Sequence, residues 1–168
     1  ISSAQPAMLG LLLRERYPNV RSAWLAHCEK GDFYEWIGGL TLGRGISGEE
    51  RKVIKLLVMR LLYTAIKPTE TEDETPFWWY LKTYLKEKDA SKKEHLATGK
   101  LFKSFDFIVM SYLRSEEPKL FELVYEHRTN LLEVKRRKPT AKGKMTKKRN
   151  NLSIEMTKME VKYIKACL

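Results

Sequence analysis

Hydrophobic positions recur along this chain at three- and four-residue spacing, the repeat of an α-helix, and proline, glycine and acidic residues cut the pattern into segments. Over residues 3–17, Met8, Leu9, Leu12 and Leu13 share a face, and Pro18 stops the run. Val20, Trp24 and Cys28 form a stripe over 20–30 that ends at Gly31. Asp32 is placed to cap a short helix bearing Phe33, Trp36, Ile37 and Leu40, and the glycines of GGLTLGRG predict a loop behind it. Ser47-Gly-Glu-Glu50 has the spacing of a capping box, in which the serine oxygen takes one orphan amide and the glutamate returns to the serine amide. The next stretch, 53–66, is apolar on nearly every side and predicts a buried central helix that Pro68 ends.

The second half continues in the same way. Thr75-Pro76 opens a helix over 77–88, with Pro76 at its first position. Residues 90–114 read as one long helix with Leu101, Phe105, Ile108, Val109 and Tyr112 on a stripe, weakened in its first half by Gly99. Ser115 and Pro118 open another, in which Leu120, Val124, Leu131 and Val134 face inward. After Asn150-Asn151, Leu152, Met156, Met159 and Tyr163 share a narrow Met-rich face, with a strand over 161–164 as the alternative. No alternating strand pattern or internal repeat stands out elsewhere. The pattern predicts an all-α fold, a single compact multi-helix domain of about seven or eight helices around one buried central helix. The expected organisation is a helical domain over 1–134, a flexible basic loop over 135–151, and a C-terminal amphipathic helix over 152–168 that packs on the domain or on a partner.

Composition narrows the class. Of 168 residues, 43% are hydrophobic and 11% aromatic, enough to build a core and too many for a disordered chain. No run of 18 or more apolar residues occurs, which excludes a membrane-spanning helix. Two cysteines, Cys28 and Cys167, make no disulfide framework and point to a reducing compartment, the nucleus or cytoplasm.

Charge changes the picture most. Lys135, Arg136, Arg137, Lys138, Lys142, Lys144, Lys147, Lys148 and Arg149 fall in one stretch without a single acid. These nine cations supply most of the formal net charge of +11. Charges at that density repel one another and stay in water until an anionic partner offsets them. The run supports three readings: contact with phosphates, a nuclear import signal in KRRKP and KKR, or a solubilising tether to acidic protein.

A helical wheel of 77–86 places Phe77, Trp78, Tyr80, Leu81, Tyr84 and Leu85 on the core side and Trp79, Lys82 and Lys86 on the other. An outward Trp79 between lysines would stack a base while its neighbours hold the backbone; the competing reading is that Trp79 packs beneath a neighbour. Arg60, on the most apolar helix, must pair with a carboxylate or open onto a cleft, and Arg44 lies near a helix N-terminus that welcomes an anion. GGLTLGRGISGEE lacks the Gly-Lys-Ser/Thr of a P-loop.

Catalytic chemistry finds little footing. His27, His95 and His127 lie on different segments, none in a metal-binding spacing, and adjacent His27 and Cys28 diverge by about 100° on a helix. Glu49-Glu50 and Glu116-Glu117 stand at helix starts, where the helix dipole accounts for them. The sequence predicts no enzyme, cofactor or metal. It predicts a helical protein that binds RNA or single-stranded DNA, mainly through the phosphate backbone, by the nine basic-run residues with Lys82, Lys86 and Trp79 as a second strip. Viral nucleocapsid-associated or regulatory proteins have this character. The alternative is a protein–protein interaction module that docks through Leu152, Met156, Met159 and Tyr163 and uses the basic run as a nuclear localisation signal or tether.

Overall fold

The structure is a computed structural model that describes residues 4–64, 66–129, 131–135, 138–144 and 146–150, with Glu155, Lys158, Met159, Val161 and Lys162 beyond them; for 131–135 and 146–150 it describes the backbone. The expected all-α domain forms from α1 (Ala4–Arg16), α2 (Ala23–Lys30), α3 (Phe33–Leu42), α4 (Gly48–Tyr63), α5 (Phe77–Lys86), α6 (Ala90–Thr98), α7 (Lys100–Glu116) and α8 (Pro118–Thr129). An antiparallel pair, β1 (Leu131–Lys135) and β2 (Thr146–Asn150), follows α8.

The helix ends follow local chemistry. Ser22 Oγ accepts the Leu25 amide at the start of α2, and Gly31, at φ 89°, closes its other end in the left-handed conformation that glycine adopts without strain. The capping box at α4 is complete: Glu50 N–H donates to Ser47 Oγ at 3.2 Å, and Ser47 N–H to Glu50 Oε1 at 3.0 Å. Asp89 accepts the Ser91 and Lys92 amides at the head of α6. Asp32 stands at the head of α3 without capping it; its carboxylate takes His27 Nδ1 at 2.8 Å instead. Pro76 precedes the first turn of α5 rather than lying within it.

Four expectations are corrected. Gly38 and Gly39 belong to α3, which runs to Leu42 and ends at the left-handed Gly43. Gly38 is required by a close approach, since a Cβ there would stand 2.5 Å from Ile46 Cγ2, where the chain folds back toward α4. The long helix divides at Gly99 into α6 and α7. Helix α8 ends at Thr129, so Leu131 and Val134 lie in a strand. The basic segment, expected as a loop over 135–151, is a hairpin at its base: Lys135 pairs with Thr146 and Leu131 with Asn150. A run such as Leu-Leu-Glu-Val fits either period, and the partner strand decides between them.

Helix α4 is central as expected, packing on α1, α3, α5, α7 and α8, and it shares that place with α7, which packs on α3, α4, α5, α6 and α8. Along α7, Leu101, Phe102, Phe105, Val109, Met110 and Leu113 are all buried. Across from them lie Ile54, Leu57, Leu61 and Leu62 of α4, with Trp24 and Phe33 in edge-to-face contact at 4.7 Å. Helix α4 keeps one open face, where Lys52, Lys55 and Leu56 meet solvent. No carboxylate pairs with Arg60 among the described residues; its guanidinium lies over the Phe102 ring, 5.7 Å from the centroid.

One ion pair lies wholly inside and reaches out to the backbone ahead of α5. Arg128 Nη1 donates to Asp106 Oδ1 at 2.6 Å, both side chains are fully buried, and Arg128 Nε donates to the Ile66 carbonyl at 3.0 Å. Asp106 Oδ2 accepts the Thr69 amide at 2.8 Å. Asp106→Asn would leave the guanidinium charged and unpaired inside the core, so it should lower unfolding stability by about 3–5 kcal/mol. Urea denaturation of the variant beside the parent checks this; a loss under about 1 kcal/mol would mean the cluster is not the clasp its geometry describes.

Candidate nucleic-acid interface

The hairpin begins two residues after the last turn of α8, and β2 packs back against α8. Its ladder pairs Leu132 with Arg149, Glu133 with Lys148 and Val134 with Lys147. The distal turn is built by Thr140 and Gly143. Thr140 N–H donates to the Lys144 carbonyl at 3.0 Å, Gly143 N–H to the Thr140 carbonyl at 2.8 Å, and Lys144 N–H to Thr140 Oγ1 at 3.0 Å. Gly143, at φ 77°, takes the left-handed position. Lys138, Lys142 and Lys144 are exposed on this turn, and none of them makes an ion pair among the described residues. Arg136 and Arg137 lie outside the described residues.

Pairing compresses the charge. Fully extended, the 15 residues from Lys135 to Arg149 would span about 50 Å. Folded back, with the Cα atoms of Lys135 and Thr146 facing each other across the ladder, they span roughly half that. Lys135 thereby comes beside Lys147 and its neighbours, which lie a dozen positions away in sequence. Neither Thr140 nor Gly143 was singled out in the sequence; a threonine three residues before a glycine between two polar runs was the available signal.

The second strip is arranged differently from the wheel. Phe77, Tyr80 and Leu81 fill the core, while Trp78 is 52% and Trp79 47% exposed. Trp78 at the edge of the wheel's apolar arc thus leaves the core. It shares a hollow of about 470 Å³ with Lys82, Lys86, Leu85, Arg44, Glu49 and Glu50, between the head of α4 and the length of α5. Trp79 does not pack beneath a neighbour; its ring meets the Tyr80 ring edge-on at 5.5 Å. Helix α5 packs on α3, α4, α6 and α7, and the hairpin on α8, so the two basic regions rest on different elements.

Arg44 does not await an external anion. Its guanidinium grips Glu50 through two bonds, of 3.0 and 2.7 Å, so the carboxylate at the head of α4 comes from the helix itself. Those bonds, with the Ser47 amide, hold the Glu50 carboxyl down at about 2 against the cost of burial. Asp73, ahead of α5, is likewise occupied: it accepts the Thr75 amide and the Tyr80 hydroxyl, each at 2.9 Å. Both histidines with described partners are structural. His27 is held by Asp32 and stacks on Trp36 at 4.7 Å, and buried His127 donates Nδ1–H to the Leu123 carbonyl at 2.7 Å.

Of the Met-rich C-terminal stripe, Met159 is only 6% exposed and packs within this chain, and Lys162 Nζ comes 3.7 Å from Glu15 of α1. Leu152, Met156 and Tyr163 lie outside the described residues. No helix among the described residues is long and apolar enough to cross a membrane. No known family model, curated protein or solved structure matches this chain.

A pH dependence follows from Glu50. Its folded-state pKa is depressed, so its contribution is complete above the unfolded value near 4.5 and is lost as pH falls toward about 2. Arg44 is half exposed and solvent screens the pair, so the expected contribution is about 1–2 kcal/mol. Glu50→Gln should remove that amount at pH 7 and flatten the acid limb of stability against pH. Equal acid limbs in the parent and variant would show that Glu50 is not its source.

Proposed function

We propose that this protein binds the phosphate backbone of RNA or single-stranded DNA through its basic hairpin. The observation that carries the reading is the run of nine cations without an acid from Lys135 to Arg149. The segment doubles back as a hairpin whose one ladder acid is Glu133, opposite Lys148, and on whose turn Lys138, Lys142 and Lys144 stand exposed and without an ion pair among the described residues. Each phosphate neutralised by such a residue releases condensed counterions, so affinity comes chiefly from entropy and falls with salt. The hairpin presents a short, dense cation row rather than a helix or zinc module shaped for a duplex groove, which favours a single strand that conforms to it. Lys135, Arg136, Arg137, Lys147, Lys148 and Arg149 are the other cations of the run. The reading does not require Lys82, Lys86 or Trp79, which rest on α5. Nuclear import through the same residues is compatible with it, because clustered Lys and Arg serve either partner.

Anisotropy of a labelled single-stranded RNA, titrated at several salt concentrations, tests the reading. Six engaged phosphates would give a slope of log affinity against log salt of about −4, at roughly −0.7 per phosphate. Changing Lys138, Lys142 and Lys144 together to Gln should bring the slope to about −2 and weaken binding at least tenfold at low salt. A slope and affinity unchanged in that variant would remove the hairpin as the binding surface.

A further inference from the structure

Helices α4 and α5 diverge at their exposed faces and leave a groove that the hairpin does not touch in any contact described above. Two hollows, of about 310 and 470 Å³, adjoin along it and share Glu49 and Leu85. Apolar side chains reach this surface: Leu56 is 45% exposed on α4, Trp78 is 52% exposed on α5, and Leu85 lines both hollows. Around it stand Lys52, Lys82 and Lys86, all exposed, with Lys93 resting over the Tyr84 ring at 5.0 Å. Leu56, Leu85 and Trp78 thus stand together among lysines, joined through the two adjoining hollows.

We propose that this groove receives an acidic amphipathic helix of a partner protein. Length supports that occupant. The groove follows α4 from Glu49 to Leu56 and α5 from Trp78 to Lys86, about 10–12 Å at 1.5 Å per residue. Two helical turns cover that distance, so a docked helix would seat apolar anchors at i, i+4 and i+7 on Leu56, Leu85 and Trp78. Its flanking Asp and Glu residues would meet Lys52, Lys82 and Lys86. Charge complementarity points the same way: Arg44 neutralises Glu50, and Lys52, Lys82, Lys86 and Lys93 outnumber Glu49, the remaining lining carboxylate. A nucleic acid fits less well. Trp78 is the one lining ring face left open for a base among the described residues, Tyr84 already carries Lys93, and the rest of the apolar lining, Leu56, Leu85 and Val53, is aliphatic.

The test uses the intact chain and a fluorescein-labelled peptide of about 16 residues, with Leu at i, i+4 and i+7 and Glu at the remaining face positions, beside a scrambled peptide of the same composition. The expected result is saturable binding with Kd of roughly 10–100 μM and at least tenfold weaker binding of the scramble. Leu56→Ser and Trp78→Ala should each weaken binding about tenfold. Both residues are exposed, and unchanged denaturation midpoints verify that the variants are folded. The variant with Lys138, Lys142 and Lys144 changed to Gln should bind the peptide as the parent does, while Leu56→Ser should bind RNA as the parent does, so the two sites fail separately. Absence of saturable binding, equal binding of the scramble, or no loss in Leu56→Ser and Trp78→Ala would overturn the proposal. Displacement of the peptide by single-stranded RNA, with quenching of Trp78, would also overturn it and assign the groove to nucleic acid.

Discussion

The buried pair of Arg128 with Asp106 is the constraint on which the rest of the architecture depends. Removing two opposite charges from water costs several kcal/mol per ion, and the interior returns that only when the remaining donors and acceptors are also matched. Here they are. Asp106 receives Arg128 and the Thr69 amide, and Arg128 gives its Nε–H to the Ile66 carbonyl. The bonds reach three parts of the chain: the middle of α7, the last turn of α8, and the irregular crossing between α4 and α5. That crossing has no helix of its own to satisfy its backbone, and the ion pair supplies the partners its Ile66 and Thr69 groups would otherwise have found in water.

Helix α8 is held at its other end by a second buried carboxylate. Glu117, just ahead of Pro118, accepts the Ser22 hydroxyl at 2.6 Å and the Trp24 amide at 3.3 Å. Burial pushes its carboxyl up, and those two donors pull it back. Ser22 meanwhile caps α2, so one carboxylate ties the head of α8 to the head of α2. Pinned by Glu117 at the start and Arg128 at the end, α8 has a fixed length and register, and the hairpin leaves it at a fixed point. The core therefore decides where the cations are presented.

What could be read in the sequence was what local chemistry determines. Ser47 with Glu50, Gly31 and Pro18 each carry their reason within a few residues, and the helix ends they mark are where that chemistry puts them. What could not be read depends on distant partners. Gly38 looks like a loop glycine until Ile46 is seen against it, and Trp78 looks like core until α4 turns its open face toward it. Leu131 to Val134 satisfies a helix or a strand, and the deciding partner is the polar Thr146–Asn150, whose own composition gives no strand signal. The cation run was legible in full; that its flanks run antiparallel, with Lys135 opposite Thr146, was not.

Pairing those flanks has an energetic consequence that sets the sign of two salt effects. The ladder sets one opposite-charge pair, Glu133 with Lys148, and no like-charge pair, but nine cations within one short hairpin still repel in sum, and solvent ions relieve that within a Debye length of about 8–10 Å. The hairpin should therefore tighten as salt rises, while its affinity for a polyanion falls, because counterion release weakens as the bulk fills with ions. A bound strand relieves the same repulsion from outside and so stabilises the paired form that binds it, as any ligand stabilises the state it prefers. The backbone bonds at Thr140 and Gly143 matter in that light: they hold the turn in a geometry that the charges alone oppose. The cations supply the attraction for a phosphate strand, and the turn supplies the density that makes the attraction local.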